Sequence, residues 1–293
     1  MDVQFLSPQE VAEILQIKKN TVYDMIKRGD LKAVKMGKQF RIAKSVVYEY
    51  LGMKAGEGSS ADIVICGQDM LLDTLCVLFN RNRHDGIQVF RSPLGSYNGL
   101  YEMYQKENYV ATCHLWDGET DTYNLSYVTK MLPGESLSVF HLIKRWQGFY
   151  VKKGNPKGIT QFRDLARDDV RMINREKGSG IRVFFDEMCK RQDLSPADFN
   201  GYNDVAASHT LAATSVDRGN ADVAMGNQKT ADSFEGIDFI PLKQESYDIV
   251  FRKSDLEHSQ FQDLLDCIRS EDFRKEAESI SGYDASGIGD RLM

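Results

Sequence analysis

The residues best suited to binding chemistry lie around one short turn, Gly178-Ser179-Gly180, between a strand-like run and a helical pattern. A Gly-Ser-Gly turn at a helix start leaves backbone N–H groups unpaired and adds the positive end of the helix dipole. The Ser179 hydroxyl and the guanidinium groups of Arg175 and Arg182 supply further donors. The sequence therefore predicts an anion site here, although each arginine could instead pair with a carboxylate on the same helix.

Other polar side chains that could reach this site come near the ends of predicted strands. Ligands of open α/β sheets bind beyond the carboxyl ends of the strands. Gln68 follows the first strand, Ser96 follows the second, His114 lies in the third, and His209 begins a further helix. Each has a simpler alternative, because a serine after a strand is often a helix cap and a single histidine is often structural. We predict that these four residues contribute to the ligand site.

Residues that could form a catalytic or metal centre do not occur at the required spacing. Val183 stands where a dinucleotide-binding G-x-G-x-x-G motif needs its third glycine. Asp117, Glu119 and Asp121 lie near His114, but their spacing fits no metal site or nucleophile arrangement, and a solvated loop is the simpler interpretation. The sequence thus predicts no catalytic residue, no metal and no cofactor.

The elements that would position these residues alternate between strand and helix, which is typical of an α/β fold with mainly parallel strands. Apolar runs at 63–66 and 88–90 flank a helical pattern at 72–79. Two further runs, 148–152 and 247–251, enclose a block with its own strands and helices. We expect two lobes joined by these two crossing strands, with a ligand cleft between the lobes.

Within the enclosed block, helical patterns begin at Ile159, at Ile181 and near residue 209, and strands are predicted at 170–174 and 221–225. This arrangement predicts a first lobe of residues 62–149 and 247–293 and a second lobe of residues 150–246.

The first fifty residues carry the pattern of a small helical module. Ser7 and Glu10 have the spacing of a capping box before a first helix. Val22 and Met25 recur at helical spacing in a second helix, which Gly29 can end. Two helices joined by a short turn predict a helix-turn-helix, whose second helix would enter a major groove.

A basic hairpin follows this second helix. Residues 31–42 alternate apolar and basic side chains around Gly37, as the two strands of a wing would, and a third helical pattern covers 46–51. The residues expected to contact DNA are polar or basic and lie on the second helix and the wing: Lys19, Asn20, Thr21, Tyr23, Lys27, Arg28, Lys35, Lys38 and Arg41.

The charges divide unevenly along the chain. Residues 1–54 hold 10 Lys and Arg against 6 Asp and Glu, whereas the rest holds 27 against 37. A basic module attached to an acidic remainder favours phosphate binding over the alternative, a small solvated domain whose lysines only confer solubility. Gly and Ser cluster at 53–61, which predicts domains at 1–52 and 62–293 with a linker between them.

Composition narrows the class of protein further. The 293 residues are 42% hydrophobic, as in ordinary globular proteins, and the five cysteines lie far apart without a C-x-x-C pair, which indicates reduced cysteines. No apolar run approaches the roughly 20 residues that span a bilayer, and no signal-peptide pattern opens the chain. We expect a cytoplasmic protein without a membrane partner.

Two resemblances follow from these motifs. The segments SPQEVAEIL, TVYDMIKRGDLKAVKMGKQFRI and VVYEYL resemble, in order, the excisionase and MerR-type winged helix-turn-helix family. Residues 62–290 resemble the type II periplasmic-binding-protein-like domain of the molybdate-binding type. The second resemblance rests on ADIVICGQDMLLDTL, ATCHLWDGETDTYN, INREKGSGIRVFFD, LAATSVDRGNADVAMG, IDFIPLKQESYDIVF and SGYDASGIGD.

Together the resemblances imply a bacterial transcriptional regulator that senses an oxyanion such as molybdate or tungstate in the cleft. Ile181 stands at a ligand position where that family prefers threonine, so one hydroxyl is missing. The expected partners are double-stranded DNA, the small anion and a second copy of the chain in a homodimer or larger assembly. The alternatives are an excisionase-like factor that only shapes DNA and an enzyme of molybdenum-cofactor metabolism.

Overall fold

The chain forms two compact units in a computed structural model, Met1–Ala61 and Asp62–Met293, named here the head and the body. The structure describes residues 5–15, 17–36, 39–43, 46–47, 62–81, 83 and 86–293. The predicted linker at 53–61, and all of the third helical pattern except Val46 and Val47, lie outside these residues. The predicted limits of the linker and of the lobes therefore stay predictions.

The described part of the head consists of two helices and a three-stranded antiparallel sheet in the order β1-β3-β2. The predicted wing is the β2–β3 pair, and β1 is a short strand that the sequence patterns did not indicate. The elements are β1 Phe5–Leu6, α1 Pro8–Ile14, α2 Lys19–Arg28, β2 Val34–Met36 and β3 Gln39–Ala43.

Local signals in the sequence explain where the two head helices begin and end. The amide of Ser7 donates to a Glu10 carboxylate oxygen at 2.7 Å, and the amide of Glu10 donates to the Ser7 hydroxyl at 3.3 Å. This reciprocal pair is the predicted capping box. Gly29 ends α2 with φ of +86°, a conformation that glycine adopts without strain. Val22 and Met25 of α2 pack in the head core.

The described strands of the body form one nine-stranded sheet and one small hairpin. The sheet has the order β11-β10-β12-β9-β13-β6-β4-β5, with β14 also paired to β9. The strands are β4 Ile63–Cys66, β5 Val89–Ser92, β6 Tyr109–Cys113, β9 Leu137–Lys152, β10 Met172–Arg175, β11 Val205–Ala206, β12 Val223–Asn227, β13 Ile237–Arg252 and β14 Tyr283–Asp284, while β7 Trp116–Asp117 and β8 Thr122–Tyr123 form the hairpin.

Helices cover both faces of each half of this sheet. In the first lobe, around β4 to β6, α3, α9 and α10 cover one face and α4 and α5 the other. In the second lobe, around β10 to β12, α6 packs on one face and α7 and α8 on the other. The body helices are α3 Leu71–Asn80, α4 Ser96–Gln105, α5 Leu125–Met131, α6 Gly180–Gln192, α7 His209–Asp217, α8 Gln228–Ala231, α9 Ser259–Arg269 and α10 Glu271–Glu278.

The two lobes are joined by the long strands β9 and β13, each of 16 residues. The strands pair with each other in antiparallel register over nearly their whole length, with irregularities at Pro241/Lys243 and Tyr247/Asp248. The predicted crossing runs at 148–152 and 247–251 are parts of these strands. One continuous ribbon thus carries residues into both lobes.

Two expectations about the body need correction. No α-helix begins at Ile159; the segment forms a 3-10 helix at Phe162–Ala166 instead, because Ile159 and Phe162 are anchored in the second-lobe core. The sheet is parallel only within each lobe, since β9 and β13 pair with their neighbours in antiparallel fashion. No described helix is long and apolar enough to cross a membrane.

Candidate functional site

The predicted DNA-contacting side chains of the head differ in exposure. Tyr23 and Arg41 are partly buried, and the Tyr23 ring meets Phe40 of the wing edge-on at 6.1 Å. Lys38 lies outside the described residues. Arg28 pairs with Asp30 at 3.0 Å in an exposed ion pair. The fully exposed members are Lys19, Asn20, Thr21, Lys27, Arg28 and Lys35.

A small polar cavity lies in the body where the two lobes meet. Its volume is about 20 Å³, room for about one water molecule. Four predicted ligand residues line it: Gln68, Ser96 and His114 from the first lobe, and His209 from the second. The structure thus brings together side chains that are far apart in sequence.

Arg145 of β9 is a buried charge in the lining of this cavity, and the sequence patterns did not indicate it. Its side chain is only 3% exposed. Its Nε donates to Glu245 at 2.6 Å, and its Nη1 pairs with Asp69. The other Glu245 carboxylate oxygen lies 2.7 Å from Nδ1 of His114. Two carboxylates therefore hold one guanidinium of the cavity lining, and His114 belongs to the same network.

The pKa of Glu245 reflects this network. Burial alone would raise the pKa of this carboxyl, but the nearby His114 and Arg145 outweigh burial and hold it below the ordinary value. Burial also opposes the charged form of Arg145, but Glu245 and Asp69 raise its pKa well above the ordinary range. The network is therefore fully ionised at these two residues at neutral pH.

His209 is the cavity residue with an unused nitrogen. Its Nδ1 is buried and makes no hydrogen bond to any residue the structure describes. Burial first, and then the positive charges of Arg175 and Arg145, lower the pKa of His209 well below its ordinary value. The imidazole is therefore neutral at pH 7, and an anion placed beside it would favour its protonated, donating form.

Arg175 ends β10 and bridges the two lobes. Its Nε and Nη2 donate to the Glu176 carboxylate at 2.8 and 2.9 Å, and Nη2 also donates to Oε1 of Gln68 at 3.0 Å. Gln68 in turn donates to Glu176 at 3.1 Å. The remaining nitrogen, Nη1, is buried and has no partner among the described residues. Glu176 thus occupies two donors of the predicted arginine while a third stays unused.

The Gly-Ser-Gly turn joins β10 to α6 as predicted, but its polar groups are used locally. The Ser179 hydroxyl caps α6 by accepting from the Arg182 amide at 3.2 Å, and it donates to the Glu176 carbonyl at 3.0 Å. Gly180 lies directly against His114, since a Cβ added to it would sit 2.5 Å from Cε1 of the imidazole. Ser179 is thus a buried helix cap, and Gly180 permits close contact between the lobes.

Two predicted ligand side chains point elsewhere. Ile181 is 1% exposed and packs in the second-lobe core, because it follows the helical spacing of the buried face of α6. Arg182 binds Asp186 at 3.1 Å and stacks over the Tyr202 ring at 4.3 Å. Neither side chain lines the polar cavity, so their contact with a ligand stays a prediction, and Arg182 makes the intrahelical ion pair that was its alternative.

Several cavity residues escaped the sequence interpretation for a definite reason. Arg145 and Glu245 face each other in the register of β9 and β13, but both lie outside the apolar runs that indicated these strands. Extending the runs by a few residues would have revealed an opposite-charge cross-strand pair. Asn227 and Thr112 also line the cavity, and their neighbours carry no signal that distinguishes them.

A two-lobed α/β domain with a polar inter-lobe cavity, preceded by a winged helix-turn-helix, defines a ligand-binding body with a DNA-binding head. Residues 79–269 match the PBP superfamily domain, and residues 5–54 match a helix-turn-helix domain. The chain therefore belongs to the PBP superfamily, with a helix-turn-helix domain at its N-terminal side.

The chain is similar along almost its entire length to YvgK, an uncharacterized protein of Bacillus subtilis (strain 168). The two are 36% identical, over 97% of this chain and 96% of that protein. A phosphate transport receptor from Vibrio cholerae shares 19% identity with a TM-score of 0.53, covering 77% of this chain and 100% of that one. The sulfate-binding protein SubI from Mycobacterium tuberculosis H37Rv shares 15% identity with a TM-score of 0.52, covering 77% and 86%. These two structures support the fold of the body.

Proposed function

We propose that this protein is a cytoplasmic transcriptional regulator whose body binds a small oxyanion in the inter-lobe cleft and thereby changes DNA binding by the head. The combination of a helix-turn-helix with a small-ligand-binding domain supports a regulator. The ligand regulates only if it binds two conformations with different affinity. Closure of the lobes along β9 and β13 is the motion we assign to it.

The observation that supports an oxyanion ligand is unused hydrogen-bonding capacity in and next to the polar cavity. Nδ1 of the cavity residue His209 is buried without a partner among the described residues, and so is Nη1 of Arg175, which lies outside the cavity lining and contacts the cavity residue Gln68. A buried donor without a partner costs roughly 1–3 kcal/mol, more for a charged group, so a bound anion would relieve that cost. The starts of α4 and α7 at the cavity add backbone N–H groups.

The identity of the anion is the finer part of the proposal. Molybdate and tungstate are our first candidates because of the resemblance to the molybdate-binding type of domain. Phosphate and sulfate come next, since proteins of the same fold carry these ligands in their names.

We propose a non-enzymatic role because the charged cavity residues are paired with one another. Arg145, Asp69, Glu245 and His114 form one closed network. Among the described residues, no group of three or more His, Cys, Asp or Glu is placed to hold a metal ion. The cleft also distinguishes this proposal from a purely DNA-shaping factor, which needs no ligand cavity. Double-stranded DNA and a second copy of the chain are the proposed partners.

Isothermal titration of the full-length protein with molybdate, tungstate, sulfate and phosphate tests the proposal. His209→Gln removes Nδ1 while keeping a polar group near Nε2. Loss of one hydrogen bond to a charged ligand predicts roughly ten- to a hundredfold weaker binding of the preferred anion. The matched control is His258→Gln, at an exposed histidine beside α9, which should leave affinity unchanged.

Fluorescence anisotropy with DNA selected by the protein itself then tests regulation, with and without the preferred anion. We expect the anion to change DNA affinity in the wild type and to lose this effect in His209→Gln. Absence of binding by all four anions would overturn the oxyanion proposal, and an anion that binds without changing DNA affinity would overturn its regulatory role.

A further inference from the structure

A second, larger cavity opens beside the polar one and shares Gln68, Asp69, His209 and Asn227 with it. Its volume is about 590 Å³, within the range of roughly 300–1,000 Å³ that is typical of sites for drug-sized ligands. Residues of both lobes line it, so lobe closure shapes it as well. We name this cavity the groove.

Part of the lining of the groove is apolar. Met70, Pro93, Phe234 and Tyr283 contribute to it. Met70 is 63% exposed although it directly precedes α3, whose own apolar residues are largely buried. A flexible thioether side chain in such a position adapts to an apolar partner. An inorganic anion presents only oxygen atoms and therefore cannot make apolar contacts with these side chains.

Polar and cationic groups also line the groove. They include His209, which the groove shares with the polar cavity, the start of α7, and Lys229, whose Nζ lies 5.5 Å from the centre of the Tyr283 ring. No carboxylate of the described residues forms an ion pair with Lys229. Arg91 adds a second cation, held by Asp73 at 2.5 Å. The start of α7 and Lys229 therefore favour a negatively charged group in the groove.

We propose that the effector is an organic anion. Its oxyanion group binds at His209 and the start of α7, and its apolar part lies in the groove against Met70, Phe234 and Tyr283. This inference rests on the oxyanion site proposed above, and it specifies that the oxyanion is a group on an organic molecule. An inorganic oxyanion fills only a small part of the groove, whereas an oxyanion group with an attached ring or chain also covers the exposed Met70.

Matched pairs of probes test this inference, because both members of each pair carry a related anionic group and only one of them carries a phenyl ring. We compare inorganic phosphate with phenyl phosphate, and inorganic sulfate with phenyl sulfate, by isothermal titration of the full chain. Burial of the phenyl ring predicts at least about tenfold tighter binding of the phenyl form in one of the two pairs. Equal affinities in both pairs would overturn the inference and leave the oxyanion proposal intact if either inorganic anion binds.

A pair of substitutions, at the residue before α3 and on α3 itself, locates the apolar part of the ligand. Met70→Ala should weaken binding of the tighter phenyl ligand by roughly three- to tenfold and leave the inorganic anion unaffected. Val77→Ala on α3 is the control, since Val77 is equally exposed, at 64%, and lies outside the groove. An unchanged preference for the phenyl ligand in Met70→Ala would mean that the apolar part of the ligand does not contact Met70, which contradicts the inference. If no phenyl or inorganic form binds, and molybdate and tungstate also fail, both this inference and the oxyanion proposal fall.

Discussion

The head and the body use positive charge in opposite ways. Lys19, Lys27 and Lys35 of the head stand exposed to solvent. In the body, Arg145 is buried and held by Glu245 and Asp69. A solvated lysine can exchange its counterions for DNA phosphates, whereas a desolvated arginine needs partners at all times. The exposed charges of the head are thus available to a binding partner, whereas the buried charge of the body holds the side chains around the cavity in place.

The same difference predicts how substitutions act. Removing a head charge should change binding with little effect on folding, since surface substitutions usually change stability by less than about 0.5 kcal/mol. Removing a cavity charge should change folding and ligand binding together, because the remaining partners stay buried without compensation.

The largest expected effect is the loss of the central body charge. Arg145→Met leaves Asp69 and Glu245 buried without their cation, which should lower the free energy of unfolding by about 3–5 kcal/mol. Equilibrium urea unfolding of the full chain measures this. Arg218→Met, at an exposed arginine of the body, is the control and should change stability by less than about 0.5 kcal/mol. Equal effects of both variants would remove the contrast between buried and exposed charge.

A triple charge reversal in the head should have the next largest effect, on DNA binding alone. Lys27→Glu, Arg28→Glu and Arg41→Glu together remove about three phosphate contacts, so the slope of log affinity against log salt should fall by about three. At moderate salt we expect at least about hundredfold weaker DNA binding with an unchanged urea midpoint. Fluorescence anisotropy over a salt series measures both quantities.

A matched reversal in the body shows whether net charge alone explains that loss. Lys153→Glu, Arg218→Glu and Lys275→Glu change the net charge by the same amount at exposed body positions. The salt slope of this variant should match the wild type. A slope reduced equally in both triple variants would mean that the head does not provide the phosphate contacts.

Mild acid should affect the body through His209, since all five histidines follow the head in sequence. Its pKa is lowered in the folded state from the ordinary 6.5, so its stabilising contribution is present above pH 6.5 and is lost as the pH falls below it. The loss is up to about 1.4 kcal/mol per pH unit. Urea unfolding at pH 7.5 and 5.5 should show a smaller pH effect in His209→Gln than in the wild type. An identical pH effect in both proteins would contradict the assignment of a neutral imidazole to His209.

The smallest expected effect compares two serine caps. Ser179 is 2% exposed, whereas Ser7 of the head is partly exposed. Ser179→Ala should cost about 1–2 kcal/mol at the start of α6, and Ser7→Ala about 0.5–1 kcal/mol at the start of α1. Amide hydrogen exchange at these helix starts measures each effect locally. A larger increase in exchange at α1 in Ser7→Ala than at α6 in Ser179→Ala would contradict the expected order.

Local signals explain why the head and most helix limits could be predicted. The Ser7/Glu10 box, the glycine at position 29 and the alternation around Gly37 act over a few residues, so their consequences follow from the sequence. The start of α6 after the Gly-Ser-Gly turn is of the same kind. The failed helix at Ile159 shows the limit, because apolar spacing does not tell a helix from an irregular segment anchored in a core.

The sequence by itself determined the two-part organisation, the helix-turn-helix and the alternation of strands and helices, since periodicity and capping are properties of neighbouring residues. Only the tertiary structure decided which polar residues share the cleft. Arg145 and Glu245 meet through the register of two long strands, and Arg182 turns towards Asp186 rather than the cavity. Contacts between residues a hundred positions apart depend on strand register and packing, which no short sequence pattern contains.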